Sequence, residues 1–272
     1  MLKQRILTAA VLIPVVLALI LLPPTGFFAA LVAIVFVGAA WEWSQLAGSR
    51  TPVGRGIVAA IAAVMLLALL LVWTPGVLTA LTFAGVAWWI GCCFWLRNFT
   101  FAAAPNAENR MLKLGAGVLV IVPTLAAAMA MHASDHGHWW TLLGLVIVWF
   151  ADTGAYFSGR YFGRRKLAPR ISPGKTWAGV YGALIAGSAI TVFGAYLIGV
   201  RGGGQLIGLA ILGLITVGFA VVGDLFESLM KRHAAVKDSG SLFPGHGGLL
   251  DRLDSVFAAL PIFAAGKLLL GL

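Results

Sequence analysis

The sequence predicts an all-α, polytopic integral membrane protein with about nine transmembrane helices and a cytoplasmic N-terminus. Three observations predict it. Apolar residues make up 61% of the 272 positions and charged ones 10%, with a mean hydropathy of +0.98, which excludes an ordinary soluble domain. The apolar positions fall into runs of about 20 residues, the length that crosses a hydrocarbon core. The cationic side chains alternate between the intervening loops in a way that losing or adding one span would scramble.

Spans are expected at 6–22, 26–43, 56–73, 77–96, 114–132, 139–157, 177–199, 206–226 and 255–271. Met1-Leu2-Lys3-Gln4-Arg5 ahead of the first run resembles a secretory signal, but no small-x-small cleavage site follows. Pro23-Pro24-Thr25 leads straight into the next apolar run, so a retained signal-anchor is expected. Turns are marked by Pro23-Pro24, Thr51-Pro52, Thr74-Pro75-Gly76 and Gly202-Gly203-Gly204. With the N-terminus inside, Lys3, Arg5, Arg50, Arg55, Arg97, Arg110, Lys113, Arg160, Arg164, Arg165, Lys166, Arg170, Lys175, Lys231, Arg232, Lys237 and Arg252 are all cytoplasmic. Of the 19 Lys and Arg, only Arg201 and Lys267 fall elsewhere.

Asp135 alone among the acids lies outside; Glu42, Glu108, Asp152, Asp224, Glu227, Asp238, Asp251 and Asp254 are placed at the inner side. Most of the net charge of +10 therefore sits on one face, where it attracts anionic headgroups and soluble polyanions. Cys92 and Cys93, adjacent in an apolar run, read as small buried hydrophobes. Gly179, Ala183, Gly187, Thr191 and Ala195 form a stripe for close helix packing, with dimerisation a further use. Two parts are expected: residues 1–110, with spans one to four and the following loop, and residues 111–272, with the remaining spans and the chemistry.

From Ser228 to Asp254 the chain reads SLMKRHAAVKDSGSLFPGHGGLLDRLD, a dense mixed-sign block in an oily sequence. Charge that is costly near lipid marks a functional site by default. Carboxylates suit a cation, and Lys and Arg suit phosphate oxygens, so the block suits a metal-bound polyphosphate. Asp224 and Glu227 share a helix face at i, i+3, Lys231 continues that face, and Asp251 and Asp254 repeat the spacing. Asp224 and Asp251 are the expected pair around a shared divalent cation. An isolated boundary carboxylate otherwise caps a helix or pairs with a lysine.

Pro244-Gly245-His246-Gly247-Gly248 is a turn whose amides can approach phosphate at the start of the last helix. Ser172-Pro173-Gly174-Lys175-Thr176-Trp177 resembles the end of a P-loop, but Pro169 stands where that motif needs glycine, and no strand is expected before it. Lys175 and the two hydroxyls are weighed equally as phosphate ligands and as an anchor with a helix cap. Asp152, within WFADTGAYF, has a salt bridge to Arg160 or helix capping as its bland explanation. His132, His136 and His138 with Asp135 fit no metal site and are assigned to a wet outer loop beside an interfacial Trp139-Trp140.

The block resembles the signature of the phosphatidate cytidylyltransferase family: S-x-hydrophobic-K-R, four residues, K-D, then H-G-G-hydrophobic-x-D-R-hydrophobic-D. The likeness extends through Gly223-Asp224-Leu225-Phe226-Glu227-Ser228, SPGKTW and ADTGAYFSGRYFG, over roughly residues 145 to 260. Ala178 stands where relatives carry a longer polar residue, and no role is assigned there. The resemblance implies transfer of CMP from CTP to phosphatidate, giving CDP-diacylglycerol and pyrophosphate. It implies Mg²⁺ held by Asp224 and Asp251, a second and monovalent cation, and a homodimer in the bacterial inner membrane with its site facing the cytoplasm. Lys231 and Lys237 join the two aspartates as catalytic candidates. Ser172, Lys175, Thr176, Arg232, Asp238, His246, Gly247, Gly248 and Arg252 are substrate-binding candidates, and no nucleic-acid partner is expected. The rival readings are a CTP-dependent isoprenoid-alcohol kinase and a transporter. The absence of an internal repeat and the boundary position of the carboxylates weigh against the transporter.

Overall fold

The computed structural model describes residues 13–240 and 247–272. Lys3, Arg5, the start of the first span and Pro244, Gly245 and His246 lie outside the described residues. Helix α1 is described over 13–21. It is followed by α2 (Thr25–Leu46), α3 (Pro52–Val72), α4 (Pro75–Arg97), α5 (Ala107–His132) and α6 (Gly137–Phe162). A hairpin of β1 (Lys166–Ala168) and β2 (Ser172–Thr176) precedes α7 (Trp177–Ile198), α8 (Gly203–His233) and α9 (Leu250–Leu269). Seven of these, α2 to α8, are long and apolar enough to cross a membrane, so the chain is an all-α polytopic membrane protein. α9 is also long but carries Asp251, Arg252, Asp254 and Lys267.

The turn dipeptides are helix starts. Thr51 and Thr74 each precede a proline at the first helical position, and their hydroxyls accept from Gly54 N at 3.1 Å and Val77 N at 3.2 Å. Asn106 caps α5 through Asn109 N at 2.8 Å. Each such cap satisfies an amide the helix leaves unpaired, which is worth about 1 kcal/mol.

Proline has the opposite use inside α9. Pro261 has no N–H to offer the Phe257 carbonyl one turn back. Trp89 Nε1 (2.9 Å) and Thr124 Oγ1 (3.0 Å) donate to that carbonyl instead, joining α4 and α5 to α9. In lipid, where no water can satisfy an exposed carbonyl, a freed backbone group becomes an interhelical contact. Gly85 leaves room for both Pro123 and Pro261 to pack against α4.

The stripe expected on the seventh span is buried at every position, Gly179, Ala183, Gly187, Thr191 and Ala195. Gly187 meets Val217 of α8, and Gly179 approaches the Ala155 carbonyl of α6, so the stripe serves packing within the chain. Both cysteines are free, and Cys92 is buried.

Three expectations need correction. A strand does precede Gly174: β1 pairs antiparallel with β2 through Lys166↔Thr176 and Ala168↔Ser172. A hairpin this short is not stable alone; its tip is tied to α8 by Arg232 Nε, which donates to the Ile171 carbonyl at 3.0 Å. No phosphate-loop fold results, because the strands form a hairpin and not a parallel crossover. The eighth helix runs to His233, well past the apolar run, so Asp224, Glu227, Lys231 and Arg232 are all helical. His132 is buried and not in a wet loop: it stacks on Phe28, with rings 4.1 Å apart. Its nitrogens meet Thr25 Oγ1 and the Ile20 carbonyl, both at 3.0 Å.

Phe226 sets the rotation of α8. It is fully buried, with ring centroids of Trp43, Trp88, Trp89 and Trp95 between 5.4 and 6.1 Å away. With Phe226 fixed toward the aromatic core, Asp224 two positions earlier turns toward the opposite side. Phe226→Ala should cost about 3–5 kcal/mol, read as a lower unfolding midpoint in detergent, and the smaller change Phe226→Leu should lower it less.

Candidate active site

A cavity of about 410 Å³ opens between α6, α7 and α8, with β2 at its edge. One part is polar, with Asp152, Arg160, Lys175, Asp224 and Ser255. The other is apolar, with Val180, Ala183, Val217, Ala220 and Val221 from facing sides of α7 and α8. The walls come close because glycines face each other: a side chain at Gly182 would collide with Ser158 and the Gly154 carbonyl of α6. A cavity charged in one part and oily in the other suits an amphipathic molecule with an anionic head.

Lys175 of β2 forms an ion pair with Asp224 of α8 in this cavity. Thr176 next to it caps α7, its hydroxyl accepting from Gly179 N at 3.2 Å, so the cap role holds for this residue. Ser172 pairs with Ala168 in the hairpin. Asp152 lies in the cavity wall under the electrostatic influence of Asp224, Lys175 and Arg252. Arg160 instead donates to Tyr156 Oη at 2.7 Å.

A second set of contacts surrounds Asp251 on the first turn of α9. Lys231 Nζ bridges Glu227 Oε2 at 2.7 Å and Asp251 Oδ1 at 2.6 Å, tying α8 to α9. Asp251 Oδ2 accepts from Ser239 N (3.0 Å), Ser239 Oγ (3.0 Å) and Gly248 N (2.8 Å). The glycine amide expected to face phosphate is thus committed to a carboxylate. Gly247 has φ +81, the left-handed region that favours glycine, and a side chain there would lie 2.7 Å from Asp251 Oδ2. Lys237 and Asp238 are exposed in the turn after α8, and Arg252 is exposed on α9. His246 lies outside the described residues.

Asp254 lies in electrostatic contact with Asp224 and Glu227, and Glu227 with Asp251. Asp152, Asp224, Asp254, Glu227 and Asp251 thus form a row of successive electrostatic interactions, with Lys175 paired to Asp224 and Lys231 to Glu227 and Asp251. Asp224 and Asp251 share this row but each is held by its own lysine. Among the described residues no three acidic, imidazole or thiol groups form a ready ligating cluster. Mg²⁺ needs only one or two carboxylates when substrate phosphates complete its octahedron. The donors fit such an ion: Asp224 and Asp251 lie among further carboxylates, and Glu227 Oε1 is buried with no hydrogen-bond partner among the described residues.

Glu42 is the residue that sequence reasoning missed. It comes from α2 and is 5% exposed. It accepts from Ser239 Oγ (2.9 Å), Leu249 N (3.0 Å) and Leu250 N (2.9 Å). One carboxylate thus caps α9 and, through Ser239, braces Asp251. A side chain at Gly240 or Gly248 would collide with its oxygens. The available signal was a carboxylate within the apolar run AAWEWSQL, which calls for a function on the cost of burial alone. Glu42→Ala strips the Leu249 and Leu250 amides of their acceptor, each at about 1–3 kcal/mol, while the Ser239 hydroxyl keeps Asp251. The variant should show faster amide exchange at 247–251 than at the buried centre of α5, and Glu42→Gln should lie between it and the parent.

The cytidylyltransferase family model matches residues 3–269. The chain is 42% identical over 270 residues to the phosphatidate cytidylyltransferase of Pseudomonas aeruginosa, covering 97% of this chain and 96% of that one. It is 39% identical to the Haemophilus influenzae phosphatidate cytidylyltransferase, covering 97% and 98%. Against the Synechocystis enzyme of the same name it is 33% identical, covering 95% and 94%. The likeness expected over the second half of the chain extends through the first half as well. With its signature block folded around Asp251 and its match running nearly end to end, this chain belongs to the cytidylyltransferase family.

Proposed function

We propose that this protein is a phosphatidate cytidylyltransferase of phospholipid biosynthesis, moving CMP from CTP to phosphatidate and releasing pyrophosphate. The observation that carries the reading is the amphipathic cavity with the Lys175–Asp224 pair in its polar part. A diacyl lipid can leave its chains against Val180, Val217 and Val221 while its phosphate meets Lys175.

The reaction needs no covalent enzyme nucleophile. A phosphate oxygen of phosphatidate attacks the α-phosphorus of CTP, the bond from that phosphorus to the bridging oxygen breaks, and pyrophosphate departs with the electron pair. The difficulty is holding two anions together, so catalysis reduces to position and charge. Lys175 moves from Asp224 to an incoming phosphate oxygen, exchanging one anionic partner for another. Lys231 holds Asp251 and Glu227 in register, and Lys237 and Arg252 stand exposed beside them as triphosphate ligands. Arg232 keeps the hairpin, and with it Lys175, docked on α8.

Asp224 and Asp251 would hold Mg²⁺ carried in on the CTP phosphates, with Lys231 giving up Asp251 Oδ1. When bound, the ion would neutralise and polarise phosphoryl oxygens. The excess of carboxylates also suits the second, monovalent cation that the family resemblance implies. Residues 111–272 carry this chemistry, with 1–110 as its brace. Cytoplasmic supply of CTP and the basic inner loops support a site facing the cytoplasm of a bacterial inner membrane. A homodimer is part of the same reading, through a surface other than the α7 stripe.

Purified protein in liposomes should form CDP-diacylglycerol and pyrophosphate only when phosphatidate, CTP and Mg²⁺ are all present. Release of CDP would instead indicate an isoprenoid-alcohol kinase, and lipid flux without nucleotide consumption a transporter. Asp224→Asn and Asp251→Asn should each lower kcat by about 10²–10³ with membrane insertion unchanged, and normal turnover in both would remove the metal assignment. Lys175→Met should raise KM for phosphatidate as well as lower kcat, because the lysine meets substrate before the chemical step.

A further inference from the structure

A second cavity, of about 670 Å³, opens near the same end of the bundle and shares no wall residue with the first. Its walls are the last turn of α2 with Arg50 beyond it, the first turns of α5 with Arg110 and Lys113, and His233 at the end of α8. Four cationic or protonatable side chains line it, Arg50, Arg110, Lys113 and His233, and no described carboxylate does.

Two of these side chains are held ready without a partner. Lys113 is 5% exposed, its backbone carbonyl pinned by the Trp43 indole N–H at 2.8 Å. Its ammonium has no ion pair and no hydrogen bond among the described residues. His233 donates from Nε2 to the Phe99 carbonyl at 2.7 Å, leaving Nδ1 buried and unpartnered. An unpaired ammonium withdrawn from water is costly unless an anion meets it. Positive-inside topology accounts for Arg50 and Arg110, which are exposed at helix ends. Lys113 differs from them: its stem is buried among the cavity walls, and its unpaired ammonium is the part left to face the cavity. The α5 N-terminus adds the first-turn amides that the Asn106 cap leaves unpaired, beside Glu108 on the same turn.

We infer that this cavity is a second anion site, separate from the substrate cavity, that takes a phosphate group through Arg50, Arg110 and Lys113, with His233 Nδ1 able to donate only from the imidazolium. Two sources supply that group at a membrane surface: the headgroup of an anionic phospholipid and free phosphate in solution. The site adjoins the catalytic segment, because Val236 in its wall is followed directly by Lys237, Asp238 and the Ser239 that braces Asp251.

The test is binding, so it stands apart from turnover. Full-length protein in neutral detergent micelles is titrated with phosphatidylglycerol against phosphatidylcholine and followed by native mass spectrometry, with inorganic phosphate as a competing arm. The parent should retain phosphatidylglycerol preferentially. The Arg50→Gln/Arg110→Gln double variant, which loses two charge-assisted contacts, should weaken retention by at least about tenfold, and Lys113→Met, which loses one, by about tenfold. The arginines are exposed, so the double variant keeps the test valid should Lys113→Met fail to fold. Displacement of the lipid by inorganic phosphate would make the phosphate group sufficient. Retention against phosphate, still lost in the variants, would identify the lipid headgroup as the source. Equal retention of lipid and phosphate by the parent and by each folded variant would overturn the site.

Discussion

Lys231 joins two helices that must meet for the site to exist. Its ammonium lies 2.7 Å from Glu227 on its own helix and 2.6 Å from Asp251 on α9. Glu227 is 3% exposed, so this is an ionic contact away from water, where losing one partner leaves the other charge uncompensated. The two helix ends are separated in sequence by the signature loop, and this bridge, the Ser239 bonds to Asp251 and the Glu42 cap close them across it. Everything downstream uses that closure: the row of carboxylates and the placement of Asp251 beside Ser239.

Charge in this protein is concentrated and braced. Asp251 accepts four contacts and Glu42 three, so both carboxylates have fixed orientations before any substrate arrives. Asp224 is different: its partners are the mobile end of Lys175 and a long contact to Ser228 at 3.4 Å. A rigid carboxylate and a looser one, linked by a row of acids, suit a site that must admit an anionic substrate and then hold it. Electrostatic preorganisation of this kind lets the protein avoid reorganising dipoles at the moment of phosphoryl transfer.

Several elements were legible before any coordinates. Thr51-Pro52 and Thr74-Pro75 read as turns because threonine caps and proline opens a helix, both local effects. The α7 stripe read as a packing face because small residues at every fourth position let helices approach closely in lipid. Other features were hidden for a physical reason. The length of α8 beyond its apolar run depends on Phe226 entering an aromatic cluster drawn from α2 and α4. The β1–β2 hairpin depends on Arg232 reaching the Ile171 carbonyl. His132 looked solvated by its neighbours His136 and His138, yet Thr25 and Ile20 enclose it.

The amino-acid order alone determined that this chain enters a membrane and where its helices begin, and it marked the polar block in which the contacts of Asp251 form. Those properties follow from hydropathy, caps and spacing, which act over a few residues. Tertiary structure alone decided which lysine meets which aspartate, that the Gly248 amide serves Asp251, and that Glu42 belongs to the site at all. Glu42 and Ser239 stand 197 positions apart; a contact at that separation is chosen by how helices pack, and no local pattern encodes it.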